Sequence, residues 1–133
     1  MSGTASTKNY QKQGGFEWVI GGLLTILGAM TRSNSTPVAT GSTIADAAPT
    51  TGDFMFVTGA DGTKGVLLQA ILPGEINVIK NTANAILKVY PNSASIQING
   101  LGAGNPISMA AYTCCDFIGA TATQVYTNPL VPS

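Results

Sequence analysis

Short apolar runs separated by turn residues dominate the second half of the chain. Residues 75–80 and 85–90 alternate imperfectly between apolar and polar side chains, as half-buried strands do. A longer apolar run covers residues 65–72 and stops at a Pro-Gly pair, which favours a strand over a helical turn. The polar link 81–84 suits a hairpin, because Asn tolerates positive φ and hydrogen-bonds its own backbone. We therefore predict three consecutive strands here.

The same pattern predicts five further strands around these three. The link 59–65 carries an Asp-Gly pair, which is a hairpin signal. Short strands with turn residues at roughly every 8–12 positions are typical of two-sheet β proteins. No long helical period occurs in residues 53–133. We predict an all-β fold, a jelly-roll or β-sandwich globule, whose additional strands cover residues 53–58, 95–98, 107–110, 113–118 and 121–127.

The N-terminal residues differ from residues 53–133 in their pattern of apolar and polar positions. Residues 1–13 are polar and lack an apolar period, so we expect an extended arm that orders only on a partner, or else a flexible terminus. Residues 16–20 alternate for part of their length, and Gly21-Gly22 suits a tight turn into residues 23–27. The predicted result is a short β-ribbon that is apolar on both faces. Either the main domain or another chain has to cover it.

A stretch rich in Ser, Thr, Ala and Pro separates the two parts. Residues 31–52 predict a linker or loosely held extended segment. The expected organisation is an N-terminal arm and ribbon over residues 1–30, this linker, and a jelly-roll-like domain over residues 53–133.

Charge and hydropathy argue against nucleic acids and membranes as partners. Six basic and six acidic residues give zero net charge, and only 9% of residues are charged. Nucleic acids and anionic membranes reward clustered Lys and Arg, so neither is predicted as a partner. Residues 16–30 are fewer than the roughly 20 that a spanning helix needs, and Glu17 lies among them. They also fit a cleaved secretory signal poorly. Low charge on an apolar-leaning chain favours association with other protein surfaces.

The sequence contains few of the residue types that catalysis or metal binding usually requires. The chain has no His, which is the commonest general base and metal ligand. Cys114 and Cys115 are adjacent, so on a strand they point to opposite faces, and we predict that one or both are small buried residues. The glycine-rich residues 100–104 lack a phosphate-binding fingerprint and predict a turn. Asp61-Gly62-Thr63 lacks the ligand spacing of a calcium loop. We predict no enzyme, no cofactor, no metal and no small-molecule substrate.

Two sets of residues resemble parts of tailed-bacteriophage virion proteins. Residues 80–91, 98–102, 107–111 and 122–126 are similar to a module common in phage head and structural proteins. Residues 9–22, Asn-Tyr-Gln-Lys-Gln-Gly-Gly-Phe-Glu-Trp-Val-Ile-Gly-Gly, resemble the N-terminal segment of head-fibre and head-decoration proteins. The second similarity is the more specific, because its Tyr-Gln-Lys-Gln-Gly-Gly run has no generic structural cause.

The resemblance implies a capsid cement, or decoration, protein with a jelly-roll domain. Such a protein binds the outer surface of the phage head as a homodimer or homotrimer and clamps neighbouring major capsid subunits. It is made in the host cytoplasm and ends on the virion. The chain has no long repeat after Leu27, so a low-lying staple is expected rather than a protruding fibre. The alternative is a tail-tip or receptor-binding β module, and a third reading is a small membrane-active protein that acts through residues 16–30.

The predicted interface lies in the N-terminal arm and ribbon. We expect the globule to form the homo-oligomer and the ribbon to contact the capsid, with aromatic and aliphatic anchors. The hypothesised contact residues are Tyr10, Gln11, Gln13, Phe16, Trp18, Val19, Ile20, Leu24 and Ile26.

Overall fold

A computed structural model describes residues 9–11 and 18–129, with the backbone alone for residues 9–11, 18 and 19. The chain divides into two compact units, Met1–Thr31 and Arg32–Ser133. Every regular element in the described ranges is a strand, which confirms the all-β prediction. The strands are β1 (Asn9–Gln11), β2 (Trp18–Ile20), β3 (Asn34–Ser35), β4 (Ala48–Pro49), β5 (Phe54–Val57), β6 (Gly65–Leu67), β7 (Ile76–Asn81), β8 (Leu87–Tyr90), β9 (Gln97–Ile98), β10 (Ile107–Met109), β11 (Cys114–Thr121) and β12 (Gln124–Asn128).

The first unit contains a two-stranded antiparallel ribbon. β1 pairs with β2, with Tyr10 opposite Val19 and Gln11 opposite Trp18. The predicted hairpin around Gly21-Gly22 is wrong, because residues 21–31 form no strand. The partner of β2 is the polar arm that precedes it, so the connection lies before β2 and not at the two glycines. The arm is therefore extended at residues 9–11, where it pairs with β2 of the same chain.

The second unit is built from two sheets between which the chain alternates. β3, β5 and β7 are neighbours in a six-stranded sheet, and β4, β6 and β8 are neighbours in a four-stranded sheet. All of these neighbours run parallel. The register aligns Asn34, Phe54 and Val78 across the first sheet. Equivalent positions recur on the order of 20 residues apart, the period at which solenoids repeat. The path from β3 to β8 is therefore a three-rung, solenoid-like coil.

Antiparallel strands complete the unit after the third rung. β10 pairs with β8 in the smaller sheet, and β11 pairs with β7 in the larger one. β12 pairs with β11, and β9 runs parallel to β12 at the edge. This order differs from the antiparallel strand order of the predicted jelly roll. The links 58–64 and 82–86 are likewise not hairpins, because each carries the chain from one sheet to the other.

The two sheets share one core. Side chains from β5, β7, β9, β11 and β12 meet those from β6, β8 and β10 in a single cluster of buried apolar residues. The burial pattern alternates strictly along β7 and over most of β11, which is the period-two signature of strands with one face in a core. The fully buried members of the cluster are Val57, Val66, Ile79, Leu87, Val89, Ile98, Ile107, Met109 and Phe117.

The segment predicted as a linker or extended segment, residues 31–52, lies almost entirely in the second unit. It is extended, and it supplies the first rung through β3 and β4. Isolated bridges join Val38 to Thr58 and Thr40 to Gly65. Directly after β4, the edge strand of the smaller sheet, the Thr50 amide donates to the Leu67 carbonyl at 3.0 Å. Pairing with the next rung holds these residues, although their own sequence has no apolar period.

Candidate functional site

Five of the predicted contact residues lie on the N-terminal ribbon. Tyr10 and Gln11 stand opposite Val19 and Trp18 in the ladder between β1 and β2. Ile20 ends β2 and is half-buried. The remaining predicted positions in this part of the chain, Gln13 and Phe16, lie outside the described residues. The register places the first four residues at two paired positions of one ribbon.

An exposed apolar segment follows the ribbon. Leu24 and Ile26, both predicted contacts, are 61% and 48% exposed. Three neighbours that the sequence argument did not select, Leu23, Leu27 and Met30, are still more exposed, at 90%, 96% and 69%. We call residues 23–30 the apolar segment. Its hydropathy was visible in the sequence, but residues 23–27 were expected to form the second strand of the ribbon, and the structure has no strand there.

The outward face of the six-stranded sheet is also largely apolar. Three parallel rows cross it, because the ladders align Ile76 with Ile118 and Tyr126, then Phe54 with Val78 and Asp116, then Phe56 with Lys80 and Cys114. We call these nine residues the outer face. Phe56, Ile76 and Tyr126 are 44%, 38% and 51% exposed. This surface was not predictable from the sequence, because its residues come together only through the order of the strands in the sheet.

Three charged groups border or interrupt the apolar rows. The Arg32 guanidinium lies 5.3 Å from the centre of the Phe54 ring and 3.4 Å from the Asp53 carboxylate. It also donates to the Ile76 carbonyl at 3.1 Å. The Lys80 ammonium donates to the Tyr112 carbonyl oxygen. The half-buried Asp116 carboxylate receives no hydrogen bond and no ion pair from the residues that the structure describes.

The carboxylates of Asp46 and Asp61 accept hydrogen bonds from residues of their own loops. Asp46 Oδ1 accepts the Thr43 amide at 2.7 Å and the Thr43 hydroxyl at 2.8 Å, which lowers the Asp46 pKa. Asp61 Oδ1 accepts the Thr63 amide and hydroxyl at 2.9 and 2.8 Å, and these bonds lower the Asp61 pKa strongly. Hydrogen-bond donors therefore surround Asp61, and a cation site would instead need further oxygen ligands.

The cysteines occupy the two faces of β11. Cys115 is buried and Cys114 is exposed, and both are free thiols. The expectation of a small buried strand residue is confirmed for Cys115. Burial raises the pKa of the Cys115 thiol from 9.0 to about 11. A thiol with a raised pKa is a poor nucleophile at neutral pH, so Cys115 serves packing.

No other feature of the described residues gathers reactive groups. The glycine-rich residues 100–104 form the predicted turn between β9 and β10, with positive φ at Asn99, Gly100, Gly102 and Gly104. A cavity beside Leu68 and Val125 measures about 10 Å³, enough for one water molecule. Within residues 9–11 and 18–129, no three His, Cys, Asp or Glu side chains come together as metal ligands. Nor do these ranges contain a helix with the length and hydropathy that crossing a membrane requires.

Comparison with known proteins adds no relative. The chain matches no protein-family model, and neither the curated proteins nor the solved structures contain a significant match to it.

Proposed function

We propose that the chain is a structural protein of a bacteriophage head, a cement or decoration protein that clamps neighbouring major capsid subunits from outside. One observation carries the proposal, namely the exposed apolar segment at residues 23–30. Its side chains gain about 1.5–3 kcal/mol each if a partner buries them fully. The resemblance of residues 9–22 to head-decoration proteins supplies the class of partner.

In this proposal the two units have different roles. Arg32–Ser133 is the rigid body, a two-sheet β-sandwich with the solenoid-like strand order in place of that of a jelly roll. Met1–Thr31 supplies the contact with the capsid through the ribbon and the apolar segment. Each contact is modest, because ordering an arm costs conformational entropy. A homo-oligomer engages several sites of the shell at once, and this multivalency raises the overall affinity.

A tail-tip or receptor-binding module is the second candidate. Three aromatic side chains of the second unit, Phe56, Tyr112 and Tyr126, are 44%, 56% and 51% exposed. Aromatic rings with one free face stack well on sugars and on other flat apolar ligands. Tyr112 also has a positive φ of 60°, an uncommon backbone state for a residue with a side chain. These observations favour a recognition role for the globule itself.

The test is binding to heads of the encoding phage that lack the protein. The purified chain is mixed with such heads, and co-sedimentation and the temperature of shell disruption are measured. We expect saturable binding that raises the disruption temperature. The double variant L23D/L27D should lose at least about tenfold in affinity, because it places two charges where apolar side chains become buried.

The matched control is L72D, which changes a leucine that is 63% exposed in the second unit. It should bind heads like the unmodified chain. A folded chain that does not bind heads, or that binds equally well as L23D/L27D, would contradict the proposal. Binding to host cells instead, abolished by Y112A or Y126A, would establish the receptor-binding alternative.

A further inference from the structure

We infer that the outer face of the six-stranded sheet is a self-association surface, on which a second copy of this chain packs face to face about a two-fold axis. The inference concerns contacts between copies of the globule. It stands independently of any capsid.

The composition of the outer face is unusual for a sheet surface that remains in water. A sheet with one solvated face usually alternates apolar inward and polar outward residues, whereas parallel neighbours such as β5 and β7 usually occur where both faces are covered. Here β5 presents Phe54 and Phe56 outward while Met55 and Val57 fill the core. Ile76 and Val78 do the same on β7. Apolar residues on both sides of β5 and on the outward side of β7 indicate that the outward side is also covered.

The outer face approaches the size that a specific contact needs. Four strands at about 4.8 Å spacing and three rows of side chains cover an area of about 20 Å by 20 Å. A standard interface buries about 800 Å² on each partner, roughly twice that projected area. Residues around the rows therefore join the contact, and we expect an association that depends on protein concentration.

The charges on the face identify a second copy as the occupant. Lys80 and Asp116 lie on adjacent strands in adjacent rows, since Lys80 is opposite Cys114 and Asp116 is opposite Val78. An isologous contact requires a surface that complements itself. A two-fold axis parallel to the face, which passes through the centre of this four-residue block at right angles to the line from Lys80 to Asp116, brings Lys80 of each copy to Asp116 of the other. Both charged pairs then form within a surface that is otherwise apolar.

Other partner classes fit the same face less well. A nucleic acid or an anionic membrane would be repelled by Asp116, which lies in the middle row between Val78 and Asn128. Lys80 is the one basic residue among the nine of the outer face, and Arg32 at its border is already committed to Asp53 and to the Ile76 carbonyl. The net charge of zero likewise allows two copies to approach without long-range repulsion.

Charge reversal on the full-length chain tests the inference. K80E places acidic groups at both members of the pair, and D116K places basic groups at both. Each variant alone should dimerise at least about tenfold more weakly than the unmodified chain in sedimentation velocity. An equimolar mixture of K80E and D116K should recover the dimer, because one copy of each restores opposite charges at both contacts. Native mass spectrometry should show that the recovered dimer is the mixed one.

Two controls separate this contact from general effects of the substitutions. K64E reverses a lysine of the Asp61 turn and should leave the dimer unchanged. A second pair of variants tests the apolar rows: F56D should weaken dimerisation, whereas I86D should not. Phe56 and Ile86 are 44% and 46% exposed, but Ile86 lies just before β8 of the other sheet. Thermal unfolding of each variant establishes that it is folded.

The outcomes that overturn the inference are equally specific. The unmodified chain could stay monomeric at the highest concentration that it tolerates. It could also form an oligomer whose dissociation constant is the same in K80E, D116K and F56D. A mixture of K80E and D116K that dimerises no better than either variant alone would equally exclude the two-fold Lys80–Asp116 contact.

Discussion

Cys114 and Cys115 show at the scale of single residues how strand geometry sets chemistry. They are neighbours in β11, and the pleat sends one side chain to water and the other into the core. The buried thiol is neutral over a wider pH range than an exposed one, because desolvation penalises the thiolate. This outcome followed from the sequence, since two adjacent cysteines on one strand must face opposite ways. Which of the two is buried depends on the register of β11 in its sheet.

The raised pKa of Cys115 predicts a loss of stability in alkali. The thiol titrates at 9.0 when unfolded and at about 11 in the folded chain, so the unfolded state loses its proton first. The contribution of the neutral thiol to the free energy of unfolding is complete below pH 9. It is lost as the pH rises through 11. Chemical unfolding at several pH values should show this decline.

The variants C115A and C114A isolate this contribution to stability. C115A should remove part of the alkaline decline, and what remains includes Tyr90, whose pKa burial also raises. C114A removes an exposed thiol whose charge adds the smallest part of the rise in the Cys115 pKa, so most of the decline should stay. A decline of the same size in C115A would contradict the assignment to this thiol.

At the scale of elements, local sequence located the strands but not their neighbours. Six of the eight strands predicted by apolar runs lie within two or three residues of β5, β7, β8, β9, β10 and β12. The run 65–72 contributes only β6 (Gly65–Leu67), and β11 extends three residues beyond its predicted end. The first-rung strands β3 and β4 were missed, because two-residue strands of Asn, Ser, Ala and Pro carry no period.

The side chain of Asn81 shows why the hairpin predicted at residues 81–84 does not form. Asn81 ends β7 with its amide fully buried. The side-chain nitrogen donates to the carbonyls of Ala85 at 2.8 Å and Ala110 at 3.0 Å, and the side-chain oxygen accepts the Ala83 amide at 3.1 Å. These bonds satisfy the backbone of a corner that leads into the other sheet. The same Asn-rich residues would suit a hairpin equally well.

Removing the Asn81 amide should therefore weaken the whole globule. N81A leaves the Ala85 carbonyl and the Ala83 amide without their partner, at a cost of about 1–3 kcal/mol for each group that stays buried. The Ala110 carbonyl keeps its hydrogen bonds from the Thr113 amide and hydroxyl. We expect the free energy of unfolding to fall by about 2–4 kcal/mol in urea titrations at neutral pH.

N84A is the matched control, since Asn84 belongs to the same corner and is exposed. Its effect should stay within about 0.5 kcal/mol. If N81A lowers the free energy of unfolding no more than N84A does, the hydrogen bonds of the Asn81 amide do not stabilise the corner.

At the scale of the whole molecule, the division into units determines what the sequence could predict about function. The apolar segment was recognisable from hydropathy, because its residues are consecutive. The outer face was not recognisable, because its residues come from four strands that meet only in the sheet. Among the residues whose side chains the structure describes, the members of the core cluster all lie from Ala39 onward. The second unit therefore has its own hydrophobic core.

Deletion of residues 1–31 tests this independence. A chain of Arg32–Ser133 with a starting Met should unfold cooperatively, with a midpoint within about 5 °C of the full-length protein. Differential scanning calorimetry measures the midpoint and the cooperativity. Under the proposed function, the same truncated chain should fail to bind phage heads. A truncated chain that is unfolded, or that melts without a cooperative transition, would show that the first unit is part of the folding unit.

The edge strand β4 has a consequence for polymerisation. Because the Thr50 amide points toward β6, the backbone of Pro49 points away from it, and proline has no hydrogen to offer there. The edge strand β10 of one molecule could otherwise pair with β4 of the next and join the smaller sheets into fibres. A two-residue strand with a missing donor is a poor template for that growth. Backbone pairing through this edge is therefore disfavoured, whereas a two-fold contact between outer faces closes at two copies and does not grow into a filament.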